Sequence, residues 1–124
     1  MQVDLLIHPR WLIPVLPEGV VYHHHSLAVQ HGRIVWIGER SEAQQFQAAE
    51  VVELPTHALM PGLVNAHTHA AMNLLRGLAD DLPLMDWLQN HIWPAEGKVV
   101  SPAFVEEGVR LACAEMLQSG TTCF

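Results

Sequence analysis

The hydrophobic pattern changes its period at Pro61, and this change constrains the fold more than any other feature of the sequence. Before it, short apolar runs alternate with turn signals, as β-strands do. After it come a strand-like run, two helix-like stretches and a final β-prone run over residues 121–124. Strand, helix, strand is the order of a βαβ unit, whose strands are parallel. The sequence therefore predicts an α/β protein in two parts, residues 1–60 and residues 61–124.

The first part reads as a series of short strands. The predicted strands are Val3–Ile7, Trp11–Val15, Ser26–Gln30, Arg33–Ile37 and Val51–Leu54. Pro9 and Pro14 break the first two runs, and residues 41–49 form a short polar helix or loop. The dipeptide His31-Gly32 suits a two-residue hairpin, because glycine adopts positive φ without cost. Strands of this length are compatible with a small β-sandwich.

The second part contains two predicted helices. Pro83 suits the first turn of one helix, whose apolar stripe runs over residues 84–92 and which Pro94 is expected to end. The dipeptide Ser101-Pro102 supplies an N-cap and a first helical position for the other, and Gly120 is placed to stop it.

Two histidines, His67 and His69, follow the strand-like run that begins at Leu63. Side chains at positions i and i+2 of an extended segment point the same way, so both imidazoles can face one metal ion. Imidazole is a common ligand of zinc, iron and nickel. An exposed histidine pair without a ligand is the alternative, since this spacing is common. Asn65 and Thr68 are expected to set the strand geometry and to hydrogen-bond around the pair.

Several segments of the chain resemble one enzyme family. Residues 61–69 (PGLVNAHTH) resemble the first-strand signature of the amidohydrolase superfamily. Residues 70–88 and 93–96 (WPAE) are similar to its 5′-methylthioadenosine/S-adenosylhomocysteine deaminase branch, and residues 11–15 and 32–38 fit the start of the same family. The likeness covers nearly the whole chain, although guanine deaminases and triazine hydrolases share much of the downstream part.

The resemblance implies the opening part of a metal-dependent (β/α)8 barrel, preceded by strands of a small β-sandwich domain that both chain ends complete. Such a barrel takes roughly 250 residues, and this chain has 124. We therefore expect an N-terminal portion of a longer, truncated protein. An inactive truncated chain is the corresponding alternative.

The resemblance also implies an activity. A metal-activated water would attack the adenine ring of 5′-methylthioadenosine or S-adenosylhomocysteine, leaving the inosine analogue and ammonia. His67 and His69 would be metal ligands, with zinc expected and iron or nickel as alternatives. Glu96 would bind the ribose, unless it is an ordinary loop acid, and Trp87 would wall the substrate or else pack in the core. The acid-base glutamate and the remaining ligands would lie beyond residue 124. A guanine or triazine hydrolase is the alternative enzyme.

Composition argues against other classes of function. The net charge is −7 and the six basic residues stand singly, so no basic stripe suggests nucleic-acid binding. No apolar stretch approaches the ~20 residues of a membrane span, and no signal peptide is recognisable. Cys113 and Cys123 form no Cys-x-x-Cys motif and are expected to be free thiols in a reducing cytoplasm. We also expect a homo-oligomer that binds a small nucleoside thioether.

Overall fold

The computed structural model describes every residue from Met1 to Phe124 and divides the chain into two compact units, Met1–Pro61 and Gly62–Phe124. The strands are β1 (Gln2–Leu12), β2 (Tyr22–His23), β3 (His25–Gln30), β4 (Arg33–Glu39), β5 (Gln47–Leu59), β6 (Leu63–Val64) and β7 (Thr121–Cys123). The α-helices are α1 (Leu84–Trp87), α2 (Trp93–Val99) and α3 (Pro102–Gln118). Two 3-10 helices, Arg40–Gln45 and Ala70–Leu75, and a π-helical turn, Leu88–Ile92, complete the set. None of the helices is long and apolar enough to cross a membrane.

Strand β1 is the centre of the five-stranded sheet in the first unit. It pairs antiparallel with β2 and β3 and parallel with β5, and β4 extends the sheet beyond β3. The predicted break at Pro9 is wrong, because β1 continues through it. Its pairing with β5 shifts register between Pro9 and Trp11, so the missing proline N–H falls at an irregularity of the ladder. The predicted strand Trp11–Val15 is also wrong, since β1 ends at Leu12 and Val15 has a φ of 70°.

The predicted hairpin joins β3 to β4. His31 and Gly32 have φ values of 52° and 71°, the positive pair that a type I′ turn requires. The carboxylate of Asp4 accepts a hydrogen bond of 2.5 Å from the backbone N–H of His31. The conformation of the two turn residues His31 and Gly32 therefore sets the register of this hairpin.

The apolar residues of the sheet lie on two faces. Leu6 and Ala28, which are opposite each other in neighbouring strands, lie on one face. They form the buried core together with Val3 and with Ala43 of the 3-10 helix, and the rings of Trp36 and Phe46 pack against it. Leu27, the neighbour of Ala28, points to the opposite face, because side chains alternate along a strand. That face carries an apolar cleft of about 330 Å³. Its lining residues are Ile7, Leu12, Ile13, Pro14, Leu27, Val29, Ile34, Ile37, Leu59, Met60 and Pro61.

A buried polar pair crosses from β1 to β3. The Nδ1 atom of His8 lies 2.6 Å from the hydroxyl oxygen of Ser26, and both residues are buried. Burial lowers the pKa of His8; the nearby carboxylate of Glu53 opposes this shift and the guanidinium of Arg40 adds to it. Arg40 in turn donates from Nη2 to both carboxylate oxygens of Glu53, at 2.9 Å each.

The second unit contains the predicted βαβ arrangement. Strands β6 and β7 are parallel, with Leu63 opposite Thr121, and α3 connects into β7. The predicted ends of α3 are confirmed. The hydroxyl of Ser101 accepts a hydrogen bond of 3.1 Å from the N–H of Phe104, and Gly120 follows the helix with a φ of 86°.

The predicted helix end at Pro94 is wrong. Helix α1 runs through the π-helical turn directly into α2, and Pro94 lies in the first turn of α2. At this junction the N–H of Trp93 donates to the carbonyl of Leu88, five residues back. Proline has no N–H, and it is tolerated here because the hydrogen-bond ladder changes from π to α at this point.

Candidate active site

His67 and His69 lie in the segment that leaves the carboxyl end of β6. Their Nε2 atoms are 3.2 Å apart, and the ring centroids are 5.2 Å apart with the ring planes at 50°. The side-chain carbonyl of Asn65 accepts a hydrogen bond of 3.2 Å from the backbone N–H of His67. This bears out the expectation that Asn65 hydrogen-bonds around the pair. Both histidines are exposed, so their ring nitrogens are accessible.

The distance between the two nitrogens suits a shared metal ion. Zinc–nitrogen bonds of roughly 2.0–2.1 Å in tetrahedral geometry place two ligand nitrogens about 3.3–3.4 Å apart. The 3.2 Å separation of the Nε2 atoms is close to that value. A single hydrogen bond between neutral imidazoles of opposite tautomers has the same length. The donor set of His67 and His69 therefore fits two ligands of a zinc-type site.

No third candidate ligand joins His67 and His69. No group of three or more His, Cys, Asp or Glu side chains in it is arranged to hold a metal ion. A catalytic zinc site generally has three protein ligands. Two histidines are fewer ligands than such a site requires.

Helix α3 holds the segment that follows the histidines. The amide of Asn65 donates to the sulfur of Met116 over 3.8 Å. A Cβ atom on the buried Gly108 would collide with the backbone of Ala71, so the 3-10 helix Ala70–Leu75 and α3 are in close backbone contact. These contacts with α3 fix the chain on both sides of the histidines.

An ion pair joins α3 to Arg76, the residue that follows the 3-10 helix, and no motif or spacing indicated it in advance. Glu115 on α3 accepts hydrogen bonds from Arg76, at 2.8 and 2.5 Å, and from the amide of Asn73, at 3.1 Å. The bonds from Arg76 lower the pKa of Glu115. Arg76 stands inside the family-like segment 70–88, but Glu115 is 39 residues further along and carries no motif.

Trp87 lines a cavity of about 270 Å³ in this unit. Its indole N–H donates to the carbonyl of Leu78 over 2.9 Å, so the nitrogen is already occupied. What the half-buried ring can offer a ligand is therefore its apolar face. The cavity is lined by Met72, Asn73, Leu75, Arg76, Gly77, Asp80 and Trp87.

Glu96 lies inside α2, and the prediction that it follows the end of a helix is wrong. The cause is the continuation of the helix through Pro94. Glu96 is half-buried, and none of the hydrogen bonds or ion pairs of this unit joins it, or Trp87, to the two histidines. The structure thus brings the histidines together and leaves Trp87 and Glu96 on separate elements, α1 and α2.

Known proteins match this chain over most of its length. The amidohydrolase family profile matches residues 58–124. A 5-methylthioadenosine/S-adenosylhomocysteine deaminase of Saccharophagus degradans is 56% identical over 122 residues, which are 98% of this chain and 27% of that protein. A 5′-deoxyadenosine deaminase of Methanosarcina barkeri is 42% identical over 99% of this chain and 28% of its own length. The chain therefore spans a little over a quarter of these relatives.

Solved structures give the same result. The crystal structure of an adenosine deaminase from Xanthomonas campestris with bound zinc superimposes with a TM-score of 0.94 at 54% identity, over 98% of this chain and 28% of that one. An atrazine chlorohydrolase from Arthrobacter aurescens, complexed with zinc, reaches a TM-score of 0.79 at 20% identity, over 95% of this chain and 27% of that one, which shows the fold alone. This chain belongs to the amidohydrolase family.

Proposed function

We propose that this chain is the N-terminal part of a metal-dependent deaminase that hydrolyses 5′-methylthioadenosine and S-adenosylhomocysteine to the inosine analogues and ammonia. The observation that carries the proposal is the 3.2 Å approach of the Nε2 atoms of His67 and His69 at the end of β6. The relatives are named for substrates that all contain an adenosine or deoxyadenosine moiety, and this supports the proposed substrate class. A triazine hydrolase has only a fold-level likeness in its favour.

The proposed architecture is the opening of a (β/α)8 barrel beside a small β-sandwich. Residues 61–124 would supply the first βα units of the barrel, and residues 1–60 would supply strands of the sandwich. Active sites of such barrels lie at the carboxyl ends of the strands. The position of His67 and His69 just after β6 supports this arrangement.

In the proposed site, each residue has one task. His67 and His69 would hold a divalent ion, with zinc as the proposed metal. When bound, such an ion supplies an activated water for hydrolysis. The carboxylate of Glu96 would accept hydrogen bonds from the ribose hydroxyls, and the ring face of Trp87 would pack against the purine or the thioether.

We also propose a cytoplasmic homo-oligomer. Cys113 and Cys123 are free thiols, which a reducing compartment preserves. Light scattering of the purified full-length protein would measure the oligomeric state, and a monomer would contradict the second half of this proposal.

Replacing His67 and His69 together by alanine in the full-length protein tests the metal assignment. We expect zinc per chain, measured by mass spectrometry of the metal, to fall sharply and ammonia release from 5′-methylthioadenosine to be lost. A matched control replaces His23 and His24, an exposed histidine pair that belongs to the first unit. Unchanged zinc in the His67→Ala, His69→Ala variant would refute the assignment.

The variant Glu96→Gln tests whether the substrate is a nucleoside or a free base. We expect weaker turnover of 5′-methylthioadenosine, because the neutral amide accepts weaker hydrogen bonds from a ribose than the carboxylate does. Turnover of a free base such as guanine should be untouched. If the full-length protein deaminates guanine and leaves the nucleoside thioethers intact, the substrate assignment fails.

A further inference from the structure

The segment between the histidine pair and Trp87 has little regular structure of its own. It consists of the 3-10 helix Ala70–Leu75 and a series of turns, in which Gly77, Ala79 and Asp81 have φ values of 78°, 54° and 69°. Positive φ is unfavourable for alanine, whereas glycine adopts it freely and aspartate tolerates it, so at Ala79 the local chain alone does not favour this path. Contacts with other elements must therefore hold the segment in place.

Glu115 supplies the polar part of those contacts. Each oxygen of its carboxylate accepts from one terminal nitrogen of Arg76, and Asn73 adds a third hydrogen bond. Bidentate pairing of this kind fixes both the distance and the orientation of the guanidinium. Exposed ion pairs contribute little net stability, and the Arg76 side chain is 61% exposed. The contact is therefore better suited to fixing a geometry than to stabilising the fold.

A short path of hydrogen bonds leads from this ion pair to Trp87. The backbone N–H of Arg76 donates to the carbonyl of Asn73 over 3.3 Å, and the N–H of Leu78 donates to the carbonyl of Leu75 over 3.1 Å. The carbonyl of Leu78, two residues after Arg76, accepts the indole N–H of Trp87. Arg76 and Trp87 also line the same cavity. The turn that Arg76 anchors thus carries the acceptor that orients the indole ring.

We propose that Arg76 and Glu115 are positioning residues for substrate binding, which act by fixing the turn whose Leu78 carbonyl orients Trp87. The inference rests on the proposed function, because it takes Trp87 to contact the nucleoside thioether. Loss of the ion pair should leave the fold and the histidine pair in place and should loosen the indole. The kinetic consequence is weaker substrate binding with little effect on the chemical step.

Steady-state kinetics of Glu115→Ala in the full-length protein test this inference. We expect KM for 5′-methylthioadenosine to rise about tenfold, the equivalent of one lost charge-assisted hydrogen bond, with kcat and zinc content nearly unchanged. Glu107→Ala is the matched control, because Glu107 is an exposed acid of α3 that pairs only with Arg110 of the same helix. It should leave KM unchanged.

A charge-reversed pair distinguishes positioning from general destabilisation. The double variant Arg76→Glu, Glu115→Arg restores an ion pair at the same place, so its KM should return most of the way from the raised value of either single variant to that of the native protein. A fall in kcat and zinc content that accompanies the rise in KM, without recovery in the double variant, would overturn the inference in favour of a purely structural role.

Fluorine NMR of protein labelled with 5-fluorotryptophan provides a readout that needs no activity. The Trp87 resonance, assigned through Trp87→Phe, should shift or broaden in Glu115→Ala and stay in place in Glu107→Ala. An unmoved Trp87 resonance would refute the inference even if the protein is a deaminase. A moved resonance in a protein that does not act on nucleoside thioethers would refute the proposed function and, with it, the role in substrate binding.

Discussion

His8 is a buried titratable side chain with a short polar contact. In the folded protein its pKa lies below the ordinary value of 6.5, chiefly because burial disfavours the charged imidazolium. Unfolding exposes the ring and restores the ordinary pKa. Between the two pKa values the unfolded chain therefore binds more protons than the folded one, and the free energy of unfolding rises with pH in that window.

The first prediction concerns the pH dependence of this stability. Urea titrations between about pH 7.5 and about pH 5.5 measure the free energy of unfolding of the native chain and of His8→Gln. The native chain should be more stable than the variant above the ordinary histidine pKa, and this difference in free energy should shrink as the pH falls through that pKa. Glutamine keeps a hydrogen-bonding partner for Ser26 but does not titrate. Parallel pH profiles for the two proteins would contradict the assignment of this pH dependence to His8.

The contact between α3 and the 3-10 helix Ala70–Leu75 depends on Gly108. A glycine inside a helix is normally improved by alanine, by about 1 kcal/mol. At Gly108 the new methyl group would meet the backbone of Ala71. We expect Gly108→Ala to lower the free energy of unfolding by roughly 1–3 kcal/mol, the usual result of overpacking.

Gly97 of α2 is the matched control, since nothing lies within 4 Å of a Cβ atom built there. Gly97→Ala should raise the free energy of unfolding by roughly 0.5–1 kcal/mol. Chemical denaturation of both variants measures the two effects. Stabilisation by Gly108→Ala would show that the backbones of α3 and Ala71 are further apart than described.

At the scale of the whole molecule, an apolar cleft on the first unit stands out. Ile34 and Ile37, which line it, are 60% and 41% exposed. We expect the isolated chain to bind the dye ANS there, and the double variant Ile34→Ser, Ile37→Ser to reduce the dye fluorescence with little change in Tm. Val35→Ser, on the same strand but outside the cleft, should leave the fluorescence unchanged. Equal fluorescence in all three proteins would contradict dye binding at this cleft.

The features predicted correctly from the sequence are those that local chemistry determines. The His31-Gly32 hairpin, the Ser101 cap and the Gly120 stop each depend on a few neighbouring residues. The approach of His67 and His69 was predicted from their spacing, although the chain bends at Ala66 and His67 and does not continue as the expected extended segment.

The features that were missed depend on partners elsewhere in the chain. Strand β1 continues through Pro9 because its register with β5 shifts there, and helix α2 follows α1 without a break because a π-helical turn accommodates Pro94. The contact of Arg76 with Glu115 arises only when α3 packs against the 3-10 helix. Neither the spacing of residues nor the hydrophobic periodicity of the sequence indicates which distant residues will pair.

The π-helical turn Leu88–Ile92 also bears on how this site could change in evolution. A π turn holds one residue more than an α turn between the same two ends. Loss of a single codon within it would leave an ordinary α turn between the same two ends, whereas the same loss from a regular α-helix rotates everything beyond it by about 100°. Glu96 would therefore keep its direction relative to Trp87 after a deletion inside the turn and would lose it after a deletion inside α2 before Glu96. The π turn is thus a place where this helix can lose a residue without changing the side that Glu96 faces.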